Sequence, residues 1–387
     1  MKILVFVLEL FVIAAILVGC SRAERPALQP STDTTLSDVV AQAHATHSVY
    51  FAISRNGQLV AHFGDSASNG IASMTKSMCG IGLEILRDSG KISSFDAPLR
   101  QFFPEWANDL RGSITIREVM DQTSGLDPHE SEYLYGDLVK QALELKLVKK
   151  PGTTWAYNNV ATNLLSGVIQ KASGKTPKVL LQQNVFDPLG IRDFFWAIDK
   201  DGNSPCAAGL LMGGPDLLKI GQALIGERAP PRSLNVAHLL ASIRDEHVPG
   251  RPDYGLLWWK GHATQFVMLD DATIEAWSRG GVSQEIVHRL LSLKGKRFDH
   301  GYVAAVEKRL GTKGADAFWD YLDKQDLPFG SIVGRGPVVW IGALGAGGQY
   351  LLIFPRQRAV VIRQSDPSSI SDFFPELPRL AQTYLVQ

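Results

Sequence analysis

The spacing of apolar positions switches between periods near 3.6 and near 2 along this chain, and the switches mark its elements. Leu36, Val39, Val40 and Ala43 recur at helical spacing and predict a helix over residues 36–46. Val49–Ser54 and Gln58–Phe63 are β-rich runs on either side of Asn56-Gly57. That dipeptide favours a two-residue hairpin turn, because both central positions need positive φ. Met78, Ile81, Leu83, Ile85 and Leu86 return to helical spacing and stop at Asp88-Ser89-Gly90. Residues 91–185 read as helical segments and loops, punctuated at Gly125, Pro151-Gly152 and Gly174. Short β-rich runs come back at Val338–Gly342, Gln349–Phe354 and Ala359–Arg363, followed by an amphipathic tail over Leu377–Leu385. The fold class predicted is α+β: one antiparallel sheet of N-terminal hairpin and C-terminal strands, flanked by helices, with helix-rich sequence between its two parts.

Candidate chemistry sits at the start of the second helix. Ser73-Met74-Thr75-Lys76 puts a hydroxyl and an amine three residues apart, on one face of a helix. A serine hydroxyl is a poor nucleophile near neutrality and needs such a base. Downstream, Tyr157-Asn158-Asn159 precedes another apolar helix. Its phenol suits proton transfer, and the Asn159 amide suits orienting a carbonyl or Lys76.

The 387 residues carry 39 basic and 39 acidic side chains, a balance that gives no support for a nucleic-acid partner. No His or Cys spacing suggests a metal site, and no cofactor motif occurs. No G-x-S-x-G elbow is present either, which argues against an α/β-hydrolase.

Several blocks together resemble the serine β-lactamase-related family. They are Ile71–Ser77, Gly90-Lys91-Ile92, Ile114–Met120 with Thr123–Leu126, Pro151-Gly152 before Tyr157, Phe186–Ile191, Ala208–Leu210 with Asp216–Leu218, and Tyr254–Trp259. The branch is the one with class C β-lactamases, family VIII esterases, D-Ala-D-Ala peptidases and 6-aminohexanoate-oligomer hydrolases. The resemblance implies Ser73 as acylated nucleophile, Lys76 as base, Tyr157 as acid/base and Asn159 as the amide that holds Lys76 or substrate. It also implies a third motif, usually Lys-Thr-Gly or His-x-Gly, for which Gly345-Ala346-Gly347-Gly348-Gln349 is the matching stretch. Ala346 then replaces the cation. Gly347 and Gly348 let a substrate approach the backbone, and the N–H groups of Ser73 and Gln349 form an oxyanion hole. Loss of the cation points to ester or neutral amide substrates, with a β-lactamase or D-Ala-D-Ala peptidase as one alternative. A catalytically silent envelope binding protein is the other.

Met1-Lys2, an apolar run over residues 3–18 and Leu17-Val18-Gly19-Cys20 resemble a bacterial lipoprotein signal. The expected plan is a signal peptide over 1–19, a lipidated Cys20 with a tether to residue 35, and a hydrolase domain over 36–387. The alternative for the apolar run is a membrane-spanning anchor. Ser21 after Cys20 favours the outer membrane, with the domain facing the periplasm. Partners are then a small ester, amide or peptide, and the membrane through its lipid. Cys79 and Cys206 are expected to be buried free thiols, a single disulfide being the alternative in an oxidising compartment. Residues 261–336 fit no block of the family pattern and predict a helical insertion, with helices near Gln284–Leu293, Tyr302–Leu310 and Ala315–Asp323. It is read as a packed decoration or as a lid over the acyl pocket.

Overall fold

A computed structural model describes residues 34–128, 134–299, 301–325, 327–366 and 376–386. The expected signal peptide, Cys20 and the expected tether up to residue 33 lie outside them. Within the described residues no helix is long and apolar enough to cross a membrane.

Helix α1 (Leu36–Ala45) starts at Thr35, which makes a capping box with Asp38. Strands β1 (Ser48–Arg55) and β2 (Gln58–Gly64) form the expected hairpin, and Asn56 and Gly57 take φ of 51° and 74°. Helix α2 (Met74–Asp88) follows and ends as Gly90 turns left-handed. The middle of the chain supplies α3 (Asn159–Thr162), α4 (Leu164–Ser173), α5 (Gly214–Leu224) and α6 (Val236–Asp245). Then come β3 (Trp258–Met268), four inserted helices and β4 (Ser331–Gly345), β5 (Gln349–Phe354), β6 (Ala359–Ser365) and α7 (Glu376–Val386).

The main sheet is antiparallel, in the order β2-β1-β6-β5-β4-β3, with Tyr254–Gly255 beyond β3. Both faces of β1, β5 and β6 are covered, which is why these strands read as nearly continuous apolar runs. Ala52, Leu351, Ile353, Val360 and Ile362 face the larger core against α2 and the middle helices. Phe51, Ile53, Tyr350, Leu352 and Val361 face a second core shared with α1 and α7. A small second sheet pairs Asn69–Gly70 and Phe194–Trp196 with Leu210–Met212.

Two boundaries differ from the sequence expectation. Residues 258–268 and 331–345 form a long ribbon, paired from Met268↔Ser331 to Trp259↔Gly342. Register shifts between Gly261 and Thr264 break the period of two there, so the pattern did not read as strand. The helices of the insertion therefore lie between Asp271 and Lys324, around their own core of Trp277, Val306, Phe318 and Leu322. They leave from the end of β4 opposite Gly345, so the fold places them as a separately packed unit at the far end of the ribbon.

Candidate active site

Ser73 is the N-cap of α2. The chain reaches it through Ala72, whose φ of 48° is unusual for a residue with a Cβ. That bend is held from both sides. The Ile71 N–H donates to the Leu210 carbonyl at 3.0 Å, and the Thr75 hydroxyl donates to the Ala72 carbonyl at 2.7 Å.

Lys76 lies one turn on and is only 1% exposed. Its Nζ is 3.2 Å from Ser73 Oγ, 2.7 Å from Asn159 Oδ1 and 2.8 Å from the Ala207 carbonyl oxygen. It also sits 4.7 Å from the centre of the Tyr157 ring. Burial lowers its pKa from 10.5 to about 7. No carboxylate is within ion-pair distance among the described residues, so nothing there restores the charge. The neutral amine has two N–H donors and one lone pair. Two carbonyl oxygens take the donors, which leaves the lone pair for the Ser73 hydroxyl. The structure thus brings together four groups expected from the sequence: Ser73, Lys76, Tyr157 and Asn159.

Their placement depends on residues that the sequence reading did not single out. Gln122, at φ 59°, accepts the Asn158 N–H on Oε1 at 2.7 Å, and its carbonyl accepts the Ala156 N–H at 2.8 Å. Asn158 caps α3 through the Ala161 N–H and donates its amide to the carbonyls of Leu126 and Asp127. The loop carrying Gln122 therefore clamps Tyr157 from both flanks. Trp155, Tyr254 and Trp259 make an aromatic wall beside it, with the Arg251 guanidinium 3.9 Å from the Trp155 ring centre. Below, the Asp121 carboxyl accepts the Leu256 N–H at 2.7 Å and is pushed up to about 7 by burial, then by Glu246. Of these, Asn158 was visible beforehand as part of the Tyr157-Asn158-Asn159 run, and residues 123–126 and 254–259 as members of their blocks; Gln122, Asp121, Glu246 and Arg251 carried no signal.

The third motif is placed differently from expectation. Residues 346–348 form the turn between β4 and β5, with Ala346 exposed at its tip. Gly347 and Gly348 engage Arg363, whose guanidinium donates to both their carbonyls, and Gln349 bonds Ser365 through its side chain at 2.9 Å. A Cβ on Gly348 would lie 1.9 Å from Arg363 Nη1. These glycines make room for a buried cation of the second core face, and among the described residues their hydrogen bonds go to Arg363 and Ser365. The residue that abuts the segment leading to Ser73 is Gly345. A Cβ there would lie 2.5 Å from the Ile71 oxygen and 3.1 Å from Ala72 Cβ. Pairing of β4 with β3 ends at Gly342, so Ala343–Gly345 keep a backbone edge free of β3 beside that segment.

The expectation of free thiols is also corrected. Cys79 and Cys206 are bonded, with Cα atoms 5.7 Å apart. They lie 127 positions apart in sequence, a distance over which spacing carries no pairing signal. Among the described residues one group has metal-ligating types in reach, Glu84, Asp88 and His238 at the far end of α2. Arg87 already pairs with Glu84 there.

A Beta-lactamase family profile matches residues 35–366. Beta-lactamase-like protein 2 of Dictyostelium discoideum is 27% identical over 157 residues, covering 37% of this chain and 28% of its own. The D-alanyl-D-alanine-carboxypeptidase/endopeptidase AmpH of Escherichia coli K12 is 25% identical over 236 residues, covering 50% of this chain and 61% of its own. The match thus spans less than two thirds of either relative. The D-alanine carboxypeptidase AmpC of Burkholderia cenocepacia has the same fold, with a TM-score of 0.56 at 16% identity over 91% of this chain and 98% of its own. With a profile match over most of its length and that fold, the chain belongs to the Beta-lactamase family.

Proposed function

We propose that this protein is a serine hydrolase working through an acyl-enzyme on Ser73. The observation that carries the reading is the Lys76 amine, buried, near neutral and 3.2 Å from Ser73 Oγ. Neutral Lys76 takes the hydroxyl proton as Oγ attacks an acyl carbonyl. The oxyanion that forms is received by the Ser73 N–H and the free edge of β4 at Ala343–Gly345. Tyr157 protonates the leaving group, and Lys76 with Tyr157 then activates the water that releases the acyl chain. Asn159 and the Ala207 carbonyl hold the amine in register throughout.

For substrate, the absence of a cation from the third-motif stretch favours esters or neutral amides. No Lys, Arg or His occurs from Val338 to Gln349, so this argument survives the shift of the motif along the strand. A second reading, cleavage of peptides ending in a D-amino acid, is favoured by the names of the E. coli and Burkholderia relatives. It requires a cation from elsewhere for the terminal carboxylate. We further propose that Cys20 is lipidated and that the domain works in the bacterial envelope, on the strength of Leu17–Cys20.

A fluorophosphonate probe tests the central claim. It should label the wild type at Ser73 and leave Ser73→Ala unlabelled. Equal labelling of the two would end the reading. Turnover of p-nitrophenyl esters, a chromogenic cephalosporin and D-Ala-D-Ala peptides would then choose among the substrate classes.

A further inference from the structure

The disulfide stands one turn from the base. Cys79 follows Lys76 by three positions on α2, and Cys206 immediately precedes Ala207, whose carbonyl accepts from Lys76 Nζ. Both sulfur-bearing residues are fully buried. The same segment is gripped from its other side, where the N–H groups of Cys206 and Ala207 both donate to Asn163 Oδ1 at 3.1 Å. Asn163 lies at the end of α3, the short helix that begins with Asn159, the other acceptor of Lys76. The contacts close a ring: α2, the disulfide, Cys206-Ala207, Asn163, α3, Asn159 and back to Lys76.

We propose that the Cys79–Cys206 disulfide and Asn163 are positioning groups for Lys76, which hold the Ala207 carbonyl on the amine and keep water out, so that the base is poised only when the disulfide is closed. This rests on the reading of Lys76 as the base of Ser73. The physical reason is solvation. The amine is held neutral by burial, and burial there depends on the Cys206-Ala207 segment staying closed over it. An open disulfide removes the covalent tie of that segment to α2 and leaves hydrogen bonds to hold it: Asn163 on the N–H groups of Cys206 and Ala207, Ser166 and Trp196 on the carbonyls of Ser204 and Pro205, and the pairing of Leu210 with Ile71. Water then reaches the amine and restores its charge. Opening is a two-electron reduction by a dithiol: the S–S bond breaks to two thiols, and the dithiol becomes a disulfide. Because both sulfurs are buried, the state is set as the chain folds.

The test compares the full-length wild type with Cys79→Ala/Cys206→Ala over about pH 5 to 9. The readouts are the rate of fluorophosphonate labelling at Ser73, and kcat and KM on an ester that the wild type cleaves. The variant's acid limb should move up by about one pH unit or more. Its rate should fall about fivefold at pH 7, with KM little changed, and should recover by about pH 9. Recovery at high pH is a readout that a merely structural bond would not produce. Asn163→Leu, with the disulfide intact, should shift the limb in the same direction. If the alanine pair does not fold, Cys79→Val/Cys206→Ala keeps the apolar volume and gives the same readout. An unchanged midpoint, or an equal loss at every pH, overturns the inference alone. A wild type that is not labelled at Ser73, or that shows no acid limb near neutrality, overturns the parent reading instead.

Discussion

Replacing Lys76 by Met removes the amine while keeping an unbranched chain of similar length, and it separates what this residue costs from what it does. In the unfolded chain the amine titrates at 10.5, and in the fold at about 7. Between these values the unfolded state binds more protons than the folded one, so wild-type stability rises with pH in that window. Proton linkage with those two values gives about 2 kcal/mol of added stability between about pH 7 and about pH 9. Lys76→Met lacks this contribution but retains the other titrating groups, so the difference between the two proteins isolates it. Met also leaves Asn159 Oδ1 and the Ala207 oxygen without their donor, at about 1–3 kcal/mol each, an offset largely independent of pH. Urea unfolding of both proteins at pH 7, 8 and 9 measures the difference directly. The wild-type curve should climb toward or past the variant's by about 2 kcal/mol over that range. Parallel curves, within about 0.5 kcal/mol, would mean that Lys76 carries its charge in the fold, and the base assignment would fall with the reasoning.

Other expectations are independent of that one. Gly345→Ala should push the Ile71-Ala72 segment away from β4 and lower kcat at least tenfold in protein that still folds, as steady-state kinetics on an ester would report. Gly348→Ala meets Arg363 instead; it should cost about 1–3 kcal/mol in unfolding while leaving kcat of the folded fraction within about twofold. The reverse pattern would return the turn to the active site. p-Nitrophenyl butyrate should be cleaved more efficiently than a cephalosporin bearing a free carboxylate, and the opposite order in kcat/KM would reveal a cation serving the pocket from outside β4. Cys20→Ser should release the protein from the envelope fraction or leave its precursor uncleaved, and mass spectrometry of an unmodified wild-type peptide through Cys20 would refute lipidation.

The meeting of Ser73 and Lys76 was legible because they lie one turn apart at the start of one helix, where spacing alone places two side chains together. Tyr157 and Asn159 came through resemblance, and the structure gives the contacts that bring them in. What stayed hidden is mostly main chain. The Ala207 carbonyl is 131 positions from Lys76, and a carbonyl oxygen has no signature in a sequence. Gly347 and Gly348 were read as a substrate cradle because Arg363, the group they accommodate, arrives on a different strand. The ribbon of β3 and β4 was masked by Gly261, Gly334, Gly336 and Pro337, which read as turn residues although bulges absorb most of them within a long pairing.

The order of strands in the main sheet has a consequence for how the protein is made. β1 pairs with β6, from Arg55↔Ala359 to Ser48↔Ser365, and Arg363 donates to Ser48 Oγ across 315 positions. The edge hairpin therefore waits for the last strands before it can join the platform. At about 5–20 residues per second, a ribosome spends some tens of seconds between the two. During that interval the nascent chain has no finished sheet. A message that ends before β6 would yield no weakened hydrolase, only a chain whose first hairpin never finds its neighbour.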